Sequence, residues 1–78
     1  MKIKFKGFTI ETEITYSRKQ AYPSDPAIET TISFGKFWGS IGAAEHEGLS
    51  DKDGNTMWVP PSVIDKAYDL EDQLRETL

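Results

Sequence analysis

The apolar residues at the start of the chain alternate strictly, and the one point where their parity changes constrains the fold more than any other feature. Ile3 and Phe5 hold odd positions, Phe8, Ile10, Ile14 and Tyr16 hold even ones, and the switch falls across Lys6-Gly7. Successive side chains of a strand point to opposite faces, so a parity change across two residues is what a two-residue hairpin turn produces. With Lys6-Gly7 at the turn, Phe5 faces Phe8, Ile3 faces Ile10 and Lys2 faces Glu11. One face is then apolar and the other pairs opposite charges, which is the arrangement that stabilises an antiparallel pair. The first element is a β-hairpin.

Ser17 to Ala27 includes Pro23-Ser24-Asp25-Pro26, residues that fix turns and cannot continue a ladder, and reads as a surface loop. Ile28, Thr30, Ile32 and Phe34 then alternate with Glu29, Thr31 and Ser33, predicting a third antiparallel strand with one buried face. From Phe37 to Leu49 the periodicity fails among scattered glycines, and the expectation is a bent or bulged continuation of strand. Asp51-Lys52-Asp53-Gly54-Asn55 is a turn by composition, Thr56-Met57-Trp58-Val59 a short fourth strand. Pro61-Ser62 opens a helix running to about Thr77, because proline suits the first helical position. On that helix Val63, Ile64, Ala67, Tyr68, Leu70, Leu74 and Leu78 share one arc, which faces the sheet. The expected fold class is α+β: a small antiparallel sheet of three to four strands, with one C-terminal helix packed across one face. At 78 residues the chain is too short for a second core, so residues 1 to 78 read as a single domain.

Composition narrows the chemistry. The absence of cysteine removes disulfides and thiolate metal sites and points to a reducing compartment, so the expected location is cytoplasmic. No apolar run approaches the roughly 20 residues of a membrane helix, and no apolar segment follows the N-terminal lysines, so neither membrane insertion nor export is expected. His46 is the only histidine and stands between Glu45 and Glu47; adjacent residues of a strand point to opposite faces, so the triplet cannot form a ligand set by itself, and any Ser-His nucleophile would rest on His46 alone. Asp51, Asp53 and Asn55 begin like a calcium loop, but the glycine falls at its fourth position, and Ser62 stands where the bidentate glutamate belongs. No catalytic, cofactor or metal residues are therefore assigned, and the chain is not expected to be an enzyme.

Two surfaces have patterned charge within a net charge of −4. Lys2, Lys4, Lys6, Arg18 and Lys19 gather at the basic head, though Glu11 and Glu13 partly neutralise the hairpin face. Asp65, Asp69, Asp72 and Glu76 follow i, i+4, i+7, i+11 on the last helix, within an arc of about 60° opposite the apolar one. Neighbouring like charges on a helix each cost roughly 0.2 to 0.5 kcal/mol. A one-signed ridge therefore suits a basic partner surface better than it suits the helix. Trp38 and Phe37 are the aromatic candidates for an apolar anchor beside it, with Trp58 a further surface aromatic.

The layout of Lys2-Ile3-Lys4-Phe5-Lys6-Gly7-Phe8-Thr9-Ile10-Glu11, the Pro23-Ser24-Asp25-Pro26 loop, a further strand and a closing acidic helix resembles short orphan proteins of bacteriophages and prophages. That resemblance implies a non-enzymatic accessory role, such as binding and inhibiting a host protein or defence complex. The expected function is a protein-binding module, monomer or homodimer, that meets a basic partner through Asp65, Asp69, Asp72 and Glu76. The alternatives are nucleic-acid binding through the basic hairpin face and a self-assembling structural part.

Overall fold

The computed structural model describes residues 1–15 and 27–77. The expected loop from Ser17 falls outside these residues, apart from Ala27, and so do Arg18, Lys19 and Leu78.

Strands β1 (Lys2–Phe5), β2 (Phe8–Thr15) and β3 (Ala27–Phe34) lead into β4 (Phe37–Ser40), helix α1 (Ile41–His46), short strands β5 (Leu49–Ser50) and β6 (Thr56–Met57), and helix α2 (Pro61–Glu76). The strands form one antiparallel sheet in which each pairs with its neighbours in sequence, in the order β1-β2-β3-β4-β5-β6. The N-terminal hairpin has the expected register: Lys2 opposite Glu11, Ile3 opposite Ile10, Phe5 opposite Phe8. Lys6 and Gly7 both have positive φ, 52° and 84°, the pair of left-handed residues that a twisted two-residue turn requires. Lys6 is a costly residue there. Its Nζ donates to Ser62 Oγ at 2.9 Å, which ties the turn to the first turn of α2.

Three to four strands were expected and the sheet has six. The additional pairing comes from residues 37–50, where a bent strand was anticipated and the chain instead folds strand, helix, strand. A second two-residue turn at Gly35-Lys36 sets Phe34 opposite Phe37, with Gly35 at φ 58° in the position where one left-handed residue is needed. β4 ends at Ser40, whose Oγ accepts from the Ala43 amide at 3.3 Å and so caps α1. Gly48, at φ 86°, then turns the chain back into β5. β6 covers only Thr56–Met57, so Trp58 and Val59 lie beyond the strand in which they were expected.

The sheet has a covered and an uncovered face. Phe8, Ile10, Ile32 and Leu49 point to the covered side and pack with Val63, Ile64, Ala67 and Leu70 of α2 and Ala44 of α1 in one buried cluster. Each of the side chains larger than alanine contributes roughly 1.5 to 3 kcal/mol through burial. The expected apolar arc of α2 is thus largely the packed one, but Tyr68 at its border is exposed. Buried Thr12 and Thr30 continue the same face, and their hydroxyls are 3.2 Å apart. Thr30 Oγ1 donates to Glu71 Oε1 of α2 at 2.6 Å, so the proton between the two threonines comes from Thr12. No buried side-chain polar atom among the described residues lacks a partner.

Candidate functional site

The helical period places Asp65, Asp69, Asp72 and Glu76 on the side of α2 away from the core, and all four are exposed. Their charges are not equally available. Asp69 Oδ2 accepts from Gln73 Nε2 at 2.9 Å and lies 3.8 Å from Lys66 Nζ. Arg75 Nη1 donates to Asp72 Oδ1 at 3.2 Å. Exposed ion pairs of this type contribute little stability, yet they soften the field at the middle of the ridge. Among the described residues Asp65 and Glu76 have neither hydrogen bond nor ion pair, so the ridge is most open at its two ends.

The aromatic candidates separate. Phe37 is half-buried against the core, with Lys36 Nζ 5.6 Å from its ring centre. Trp38 is 64% exposed. It lies across from Ser33 and Ser50 on the uncovered face, the side of the sheet that α2 does not touch. Ridge and Trp38 therefore face opposite directions, and one flat contact surface cannot engage both.

Trp58 is placed differently. It is 73% exposed and stands beside both helices. On one side, a cleft of about 220 Å³ is lined by Glu45, Trp58, Val59, Pro61, Ile64 and Asp65. On the other, a hollow of about 300 Å³ includes His46, Glu47 and Met57. The Tyr68 hydroxyl donates to Glu45 Oε2 at 2.6 Å, joining α2 to α1. This bond, together with partial burial and the nearby Glu45 and Glu71 charges, pushes the Tyr68 phenol above its ordinary pKa. Asp65 thus belongs both to the ridge and to the lining of the cleft. Trp58, expected among the surface aromatics, is exposed. The cleft was not legible in the sequence, because one wall is α1, where strand was expected.

Elsewhere the charged groups serve the fold. Asp51 Oδ1 accepts from the amides of Asp53 and Asn55, both at 2.9 Å, and Oδ2 from Asn55 Nδ2 at 3.1 Å. Lys36 Nζ stands 3.4 Å from Oδ2. The Asn55 side chain, then the two amides and Lys36, hold the Asp51 carboxyl below its usual range against the opposing effect of burial. Its oxygens are occupied in closing the turn. Among the described residues no group of three or more His, Cys, Asp or Glu is placed to hold a metal ion. The basic stripe is reduced as well: Lys6 reaches Ser62, while Lys2 and Lys4 share the uncovered face with Glu11, Glu13 and Glu29. No helix among the described residues is long and apolar enough to cross a membrane.

Neither a protein-family model, a curated protein nor a solved structure matches the chain.

Proposed function

We propose that this chain is a non-enzymatic protein-binding module whose contact surface is the outer face of α2, presented to a basic partner. The observation that carries the reading is the placement of Asp65, Asp69, Asp72 and Glu76, all exposed and all on one side of a helix whose other side is locked into the core. A rigid element with one sign of charge steers and orients a partner of the opposite sign, and it needs no movement on binding. Inhibition of a host protein, as the phage-type layout implies, is the narrower form of the proposal. Nucleic-acid binding is less favoured by the geometry, because Glu13 and Glu29 stand directly opposite each other on the same face as Lys2 and Lys4.

The test is capture of partners from host lysate by the wild-type chain and by a variant carrying Asp65→Lys, Asp69→Lys, Asp72→Lys and Glu76→Lys. Both are first shown to be folded by circular dichroism. A basic protein retained by the wild type and lost with the variant, with retention weakening as salt rises, supports the reading. Equal capture by both overturns it.

A further inference from the structure

Among the described residues Trp58 is the most exposed large apolar side chain, and the cleft beside it joins three kinds of surface. It is lined by the apolar Val59, Pro61 and Ile64, by the Trp58 indole, and by two carboxylates, Glu45 from α1 and Asp65 from α2. Glu45 is held by the Tyr68 hydroxyl on one oxygen only. Among the described residues no cation is paired with Glu45 or Asp65, and none stands over the Trp58 ring.

These properties select the occupant. An apolar anchor would remove the two carboxylates from water without compensation, and an anion would be repelled by them. A cation with an apolar stem satisfies all three surfaces. We propose that the cleft receives an arginine side chain of a basic partner segment. Its guanidinium lies against the Trp58 indole between Glu45 and Asp65, and its methylenes rest on Val59, Pro61 and Ile64. Arginine is favoured over lysine because its planar, weakly hydrated head stacks on an aromatic ring and offers donors to both carboxylates. The stem covers apolar surface as such stems do elsewhere. This inference rests on the reading of α2 as a docking face, since Asp65 belongs to both, and adds the specific contact that a charged ridge lacks.

The probe is N-acetyl-arginine amide, with N-acetyl-citrulline amide as its uncharged counterpart, titrated into the ¹⁵N-labelled chain while both indole N–H resonances are followed by NMR. A Trp38→Phe variant assigns the two peaks. The expected result is a saturable shift of the Trp58 indole with the arginine amide, with Trp38 still and no response to the citrulline amide. Glu45→Gln with Asp65→Asn, checked for unchanged spectral dispersion, weakens binding roughly 2- to 30-fold, the scale of losing two exposed ion pairs while the indole contact remains. No shift, equal shifts of both indoles, equal response to the two amides, or unaltered binding by the double variant overturns the inference. Asp69→Lys with Asp72→Lys and Glu76→Lys leaves the cleft intact and separates the two readings. A cleft response without charge-dependent capture sinks the ridge alone, and charge-dependent capture without a cleft response sinks the cleft alone.

Discussion

Single residues set the course of the backbone between β4 and α2. At Gly48 a Cβ would overlap the carbonyl oxygen of Met57, and the φ of 86° is one that side chains resist. Gly54 has nearly the same φ, 85°, with open space around it. Gly48→Ala is therefore expected to cost more than Gly54→Ala, about 1 to 3 kcal/mol for the backbone conformation at either site plus the clash at Gly48 alone. Urea unfolding midpoints of the two variants check the difference. Asp51 is the second such residue. Because its carboxyl pKa is depressed in the folded state, its contribution is complete above the ordinary aspartate range and is lost as pH falls through the depressed value. The stability gap between wild type and Asp51→Asn should be clear at neutral pH and close in acid, as read from thermal melts across the pH series. Little of this was visible beforehand: Asp51 to Asn55 reads as a turn, but a linear pattern does not say which carboxylate turns inward.

Elements were legible where their period ran long enough. β1, β2 and β3 showed themselves through alternation, and α2 through sixteen residues of helical spacing opened by Pro61. α1 has six residues, under two turns, and contains Gly42, so no period develops and propensity argues against it. Its cap by Ser40 was the one local signal. The second hairpin was harder to see than the first, because Trp38 follows Phe37 directly and no alternation develops beyond Gly35-Lys36. Two predictions belong to elements. Glu13 and Glu29 oppose each other across β2 and β3, and Glu13's carboxyl is raised by its hydrogen bond with Glu11, then by repulsion from Glu11 and, more weakly, from Glu29. A raised carboxylate pKa costs stability at neutral pH and is relieved as pH falls through the folded value. Glu29→Lys should accordingly raise the thermal midpoint at pH 7 and lose that advantage in acid. Thr30→Val removes the hydroxyl shared by Thr12 and Glu71 and should cost about 1 to 3 kcal/mol, whereas Thr12→Val leaves the Glu71 bond intact and should cost less.

At the scale of the molecule, 78 residues and small-domain norms of roughly 0.05 to 0.15 kcal/mol per residue imply a total stability of about 4 to 12 kcal/mol. Ile10 and Ile32 face each other with no exposed surface. Truncating either to alanine should cost about 2 to 5 kcal/mol, a large part of that total, and thermal melts should show the midpoint lowered by roughly 8 to 40 °C. The sheet pairs only strands adjacent in sequence, and both helices close the same side of it. During synthesis the residues of all six strands precede those of α2, so Phe8, Ile10 and Ile32 have no α2 to pack against until that helix has been made. Any chaperone that held those side chains before α2 docked would compete with the helix for the same face.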